Sequence, residues 1–338
     1  MVQKFYYKIG LVLIGLITII VVYTIIGNFV GEYLNDGGRL VTRYKREALR
    51  KGAFLNSDNT ARDVLVLGDS EILSGFVPQI FNALSEHKIN SINLALPGQP
   101  LSSAYYMLKE HLRNTSTKPN AVIIFFNVNY QKINFYGTEG ASLEEALGHL
   151  YYKNNAEYFV KYLIPSRQYI VNIFKYLKMF LFNRQTLFKL KKKNKDVLDK
   201  VLNNDGYLPL SLDRYPNSIL PDSIYEPTDN PNIVHEFPNV KEDIYFHKFV
   251  ELINKHQLKT LVIRTPKRIG SRKKEKIIPS TLESLLLSNR LFFLGNNGWK
   301  TKFYKNQFFA DTRHLNPNGA NKFTKDIFNE FISSGILD

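Results

Sequence analysis

Asp63-Val-Leu-Val-Leu-Gly-Asp-Ser70 is a short apolar run that stops at a glycine-containing turn. Apolar residues in unbroken succession, without polar alternation, fit a strand buried on both faces of a parallel sheet. Pro78 to His87 reads as the helix that follows, with proline in its first turn. The rhythm then repeats. Asn90 to Ala95 reads as a strand stopped by Pro97-Gly98, and a helix capped by Ser102 or Ser103 runs to about Arg113. Ala121–Phe126 and Lys259–Arg264 read as two more strands, the latter closed by Thr265-Pro266, and Leu291–Leu294 as a fifth. Strands alternating with helices predict an α/β domain of three layers, its parallel sheet covered on both faces.

The interval from about 131 to 240 breaks this rhythm. It holds helical patches at Ser142–Leu163 and Gln168–Leu190, then a turn-rich stretch with Pro209, Pro216, Pro221, Pro227 and Pro231. It reads as a large, mostly helical insertion or cap. Residues 161–200 carry 11 Lys or Arg against 2 Asp, so most of the chain's charge asymmetry is local. Besides a nucleic-acid patch, two readings stand for Ile170–Phe182 and the following Lys189–Lys195. One is a core helix leading into a solvated basic loop. The other is a segment lying on an anionic bilayer, where cations meet headgroups and apolar side chains enter the interface.

The 338 residues are 44% hydrophobic and 22% charged, which excludes wholesale disorder. There is no cysteine, which removes disulfides, thiolate metal sites and a cysteine nucleophile. Lys and Arg number 45 against 30 acidic residues, a net charge of +15, so anionic partners are the ones charge favours. From Ile9 to Val30 no residue is charged. A helix of that length covers about 33 Å, close to the hydrocarbon thickness of a bilayer. The expectation is an uncleaved transmembrane anchor over 9–30, after a tail at 1–8 and before a stalk at 31–61 with one short helix around Tyr44–Lys51. The globular domain then occupies 62–330, interrupted at about 131–240, with a tail at 331–338.

Three separated signals fit one chemistry. Ser70, at the end of its strand, stands where open α/β sheets place their sites. Asp311-Thr-Arg-His314 offers a base to take a serine proton and a carboxylate to orient that base. Gly98, at a strand end, offers a close backbone amide, and Asn127 or Asn129 a side-chain amide, for a developing oxyanion. Each also has a plainer reading, as a turn former, a cap or a surface pair. Glu71 is either a contact for an amino-bearing substrate or a solvent-facing carboxylate at a helix start. Arg313 is either a contact for an anionic substrate or a surface ion-pair partner. The other six histidines, His111 and His149 among them, lack metal-ligand spacing.

Taken together, these blocks resemble the SGNH (GDSL-like) hydrolase superfamily. Gly68-Asp69-Ser70 matches its first block, Gly98 the second-block glycine, Asn127-Val-Asn129-Tyr130 a divergent third block, and Asp311 with His314 the last. Asn127 stands where that family has glycine and Tyr130 where it has aspartate. The likeness spans roughly 62–130 and 257–330. With the apolar N-terminal run, it is similar to the extracytoplasmic branch that includes the D-alanyl-lipoteichoic acid biosynthesis protein DltD and alginate O-acetylation proteins.

The resemblance implies that Ser70 is the nucleophile, His314 the base and Asp311 its orienter, with Gly98 and Asn129 as oxyanion donors and no metal or organic cofactor required. It implies a membrane-anchored O-acyltransferase or esterase modifying a cell-envelope glycan or other anionic polymer. The expected location is the bacterial cytoplasmic membrane, single-pass, with the body outside. Expected partners are that polymer, membrane lipid and a multi-spanning membrane acyltransferase, and no nucleic acid. The rival from another class is a noncatalytic envelope protein that keeps the fold to bind glycan or assist assembly.

Overall fold

The computed structural model describes residues 37–55, 62–98, 101–126, 141–153, 156–163, 167–210, 219–221, 244–269, 290–294 and 302–337, together with scattered positions of 11–30. The chain divides into two compact units. One comprises Met1–Arg43 and Thr138–Leu198, the other Tyr44–Gly137 and Asp199–Asp338.

The second unit is built on a parallel sheet. Its strands are β1 (Val64–Leu67), β2 (Ser91–Asn93), β3 (Ala121–Phe126), β4 (Lys259–Arg264) and β6 (Phe292–Leu294), ordered β2-β1-β3-β4-β6. Leu65 faces Ile92 on one side and Val122 on the other, and Ile123 faces Leu261. A separate two-stranded ladder pairs β5 (Lys267–Arg268) with β7 (Phe303–Tyr304). These two strands are too short to leave any periodicity in the sequence, and they were not expected.

Helices α1 (Gly37–Arg50), α2 (Ser70–Leu73), α3 (Pro78–Leu84), α4 (Leu101–Asn114), α9 (Ile244–His256) and α10 (Pro317–Ser333) accompany the strands in chain order. The β1 side chains are all fully buried, and each apolar side chain so buried contributes roughly 2 kcal/mol. Leu65, Leu67, Ile92, Ile124 and Val262 form one cluster with Leu108 of α4 and Phe249 of α9. On the other face Phe125 meets Phe323 of α10 at 5.8 Å between ring centroids. There Phe81 of α3 sits 5.3 Å from each of Phe76, Phe328 and Phe331.

Two local expectations change. Ser102 and Ser103 do not cap α4; they are buried inside it, which begins at Leu101. The short helix expected in the stalk is the longer α1, and its Ala48 and Leu49 join the core cluster. Within α1, Lys45 is fully buried, its Nζ donating to the carbonyls of Asn93 and Ala95 at 2.7 Å each. Burial alone pushes its pKa well below the usual lysine range.

In the first unit the insertion is helical: α5 (Leu143–Lys153), α6 (Ala156–Leu163), α7 (Arg167–Phe182) and α8 (Arg184–Asn203), the last running on past the unit's boundary. Lys189–Lys195 is therefore helix, not loop. Ser142 starts α5, its Oγ accepting the Glu145 N–H at 3.1 Å.

The larger correction concerns the membrane. Among the described residues no helix is long and apolar enough to cross one. Of the expected anchor at 9–30, Leu11, Val12, Ile14, Ile19, Val22, Ile25 and Ile26 are exposed helical positions, and most of the remainder lies outside the described residues. What stands is a mixed α/β domain with a parallel sheet and a large helical region. The single-pass placement with an extracytoplasmic body is withdrawn on this finding. The reading as a membrane-anchored enzyme of the cell envelope is withdrawn with it.

Candidate active site

β1 delivers its next residues to the carboxyl edge of the sheet. Gly68 is required there by close packing: a Cβ on it would sit 2.8 Å from the Ile72 side chain. Asp69 caps α2, its carboxylate accepting the Glu71 N–H at 2.9 Å while its carbonyl accepts those of Ile72 and Leu73. Ser70 is thus the first residue of a helical turn. Its carbonyl accepts from Ser74 Oγ at 3.0 Å. Among the described residues, its own N–H has no acceptor.

Behind this turn stands Asn93 of β2, fully buried. Its amide donates to the Ile72 carbonyl at 2.8 Å and the Phe76 carbonyl at 3.0 Å, and its oxygen accepts the Ala95 N–H at 3.0 Å. One side chain therefore ties the serine turn to the loop that leads to Gly98. Leu96 N–H adds a bond to the Gly68 carbonyl at 3.1 Å. Gly98 has φ of +60°, a left-handed conformation that favours glycine.

The second half of the site comes from the far end of the chain. Phe309 and Leu315 form an isolated antiparallel bridge, with Ala310 N–H to the His314 carbonyl at 2.8 Å and Asn316 N–H to the Phe308 carbonyl at 3.0 Å. Inside that clip, Asp311 Oδ1 accepts the N–H groups of Arg313 at 2.8 Å and His314 at 2.7 Å. Asn316 then caps α10 through the Gly319 N–H at 2.9 Å.

The two halves meet at the histidine. His314 Nε2 lies 2.9 Å from Ser70 Oγ, and His314 Nδ1 lies 2.8 Å from Asp311 Oδ2. Burial by itself would raise the Asp311 pKa, but the hydrogen bond and charge of His314, with the two backbone N–H groups, outweigh it and hold the carboxyl down at about 2. Burial likewise works to lower His314. The Asp311 hydrogen bond and the charges of Asp311, Glu71 and Asp69 overcome it, and the imidazole is raised above its usual 6.5.

Glu71 is not solvent-facing. It is 5% exposed, and both its oxygens accept from Lys267 Nζ, at 2.8 and 3.0 Å. Lys267 is a site neighbour that the sequence reading missed. Its position just after Thr265-Pro266, at the carboxyl end of β4, was the available signal, since β1 ends at the same edge. Arg313 is exposed. Asn127 and Asn129 lie outside the described residues. Among the described residues no group of three His, Asp or Glu side chains is arranged to hold a metal ion. No family model matches the chain, and no curated protein does.

Proposed function

We propose that the protein is a carboxylic ester hydrolase of the serine type, with Ser70 as nucleophile. The observation that supports this is the continuous contact from Ser70 Oγ through the His314 ring to Asp311, at 2.9 and 2.8 Å. A serine hydroxyl alone is a poor nucleophile near neutral pH, and a neutral imidazole within hydrogen-bond reach is what activates it. Asp311 holds Nδ1–H, so that Nε2 faces the serine as acceptor, and it stabilises the imidazolium that forms. Resemblance to the SGNH hydrolases points the same way.

In this mechanism Ser70 Oγ bonds to the ester carbonyl carbon while its proton passes to His314 Nε2. Negative charge collects on the former carbonyl oxygen, against the Ser70 and Gly98 N–H groups. Collapse expels the alcohol, which takes the proton from Nε2 and leaves an acyl group on Ser70. His314 then removes a proton from water, whose oxygen attacks the acyl-enzyme; collapse frees the acid as the Ser70 oxygen takes that proton back from Nε2. A hydroxyl compound in place of water makes the same chemistry an acyl transfer.

The test is fluorophosphonate labelling of the full chain, with the adduct located by peptide mass. Label on Ser70, absent from Ser70→Ala and strongly reduced in His314→Ala, is the expected result. A folded parent that takes no label, or takes it elsewhere, refutes the proposal.

A further inference from the structure

Between Phe174 and Lys195 the chain carries eight Lys or Arg and no Asp or Glu. The same stretch exposes large apolar side chains: Phe174 is 69% exposed, Leu177 48%, Leu181 66%, Phe182 81% and Phe188 60%. Exposed apolar residues scattered singly need no explanation, but a run of them does. Phe174, Leu177 and Leu181 follow at spacings of three and four, which stack them on one face of α7. Asn183 separates α7 from α8: its N–H reaches the Met179 carbonyl at 2.7 Å, and its side-chain oxygen accepts the Thr186 N–H at 3.3 Å as the cap of α8. Phe188 is exposed on α8, just beyond that junction. Arg184 is fixed against it, its guanidinium 4.5 Å from the Phe180 ring centre and its Nε donating to the Phe180 carbonyl at 2.9 Å.

The occupant has to satisfy both properties at once. Eight cations in a stretch without a carboxylate favour an anionic surface. The apolar stripe requires an apolar phase just beneath that surface. A second copy of this face would set cation against cation. Nucleic acid would offer Phe a base to stack on but nothing for Leu177 and Leu181. An anionic bilayer offers both, headgroups above and acyl chains below. We propose that α7 and the first half of α8 form a peripheral binding face for anionic phospholipid. The face lies on the bilayer and does not cross it. α7 has 16 residues and includes Lys175 and Lys178, short of the roughly 20 apolar residues a span needs.

Phe182→Trp, made in the full chain with Trp299→Phe, reports on this face alone. Vesicles of phosphatidylcholine, and vesicles of that lipid mixed equally with phosphatidylglycerol, both with brominated acyl chains, are the probes. The expected result is quenching of the introduced tryptophan by the mixed vesicles and not by the neutral ones. Lys191→Gln, Lys192→Gln and Lys193→Gln together should weaken that response about a hundredfold, at about fivefold per cation. Phe174→Ser with Leu181→Ser should abolish quenching while helix content, read by circular dichroism, is kept. No quenching by mixed vesicles overturns the proposal. So does equal quenching by neutral ones, indifference to both sets of substitutions, or a response to RNA in its place.

Discussion

Replacing Asn93 tests whether the serine turn is held by one buried amide. Three backbone groups depend on it: the carbonyls of Ile72 and Phe76 and the N–H of Ala95. The Ile72 carbonyl keeps two other donors, the N–H groups of Gly75 and Phe76, so Asn93→Ala strands chiefly the other two. A buried polar group left without a partner costs about 1–3 kcal/mol, and loss of two should destabilise the protein by roughly 3 kcal/mol. Both stranded groups flank the site, so the loop that leads from Ala95 to Gly98 loses its tie to the serine turn. For p-nitrophenyl acetate, kcat should fall while KM changes little. Urea unfolding and steady-state kinetics on the same preparations measure both. Asn93→Asp separates hydrogen bonding from packing, because aspartate has nearly the same size but an ionised carboxylate cannot donate to either carbonyl. It should be at least as damaging as Asn93→Ala. A near-native Asn93→Asp protein with native kcat would refute the reasoning, since packing would then be the whole effect.

The remaining predictions concern charge and strain. His314 must be neutral to accept the serine proton, and its pKa is raised by Asp311, Glu71 and Asp69, so ester hydrolysis should rise with pH through a midpoint above 6.5. Glu71→Gln should move that midpoint down and Lys267→Met, which leaves Glu71 uncompensated, should move it up; pH–rate profiles that shift the same way would count against the assignment. His111 is fully buried without a hydrogen-bond partner among the described residues, and burial, followed by the charge of Arg62, lowers its pKa to about 4. The unfolded chain then binds its proton first, so stability should drain away as pH falls from 6.5 toward 4, by roughly 3 kcal/mol in all. His111→Leu should flatten that dependence in urea titrations at pH 4.5 and 7. Gly206 has φ of +89°, and a Cβ there would come within 2.0 Å of the Asn93 carbonyl oxygen, so Gly206→Ala should lower the urea midpoint by an amount corresponding to at least about 2 kcal/mol.

Legibility in the sequence follows how local each cause is. Val64–Leu67, Ala121–Phe126 and Lys259–Arg264 are readable because strands buried on both faces show as unbroken apolar runs. The Asp311–His314 turn is readable because its hydrogen bonds span only two or three residues. The ion pair of Glu71 with Lys267 spans 196 residues, and the ends of β1 and β4 at one sheet edge are its only trace in the sequence. The same is true of Lys45. A lysine in a charged helix reads as solvated, and only the placement of the Asn93 and Ala95 carbonyls makes its burial tolerable. Ser102 and Ser103 read as caps by residue type, but Arg46 donates to Ser103 Oγ at 2.9 Å in the interior, and that tertiary bond sets their place.

Ser70 and His314 are 244 residues apart, and the bonds that close this distance are almost all between groups other than the reacting ones. Thr324 of α10 accepts the Val77 N–H at 2.9 Å, which fixes α10 against the segment just after the serine turn. Asn316 begins that same helix and, by its own N–H, closes the bridge that encloses Asp311 and His314. The two halves of the site are therefore attached to one helix, at its start and about two turns along it. A side chain held at both ends of so short a connection has little freedom to lose when a transition state forms, which is the physical content of preorganisation. Ser70 Oγ and His314 Nε2 stand at hydrogen-bond distance, 2.9 Å. Reaction with a small electrophile should accordingly need no natural substrate to assemble the site, which is why labelling of Ser70 is the decisive measurement for this chemistry.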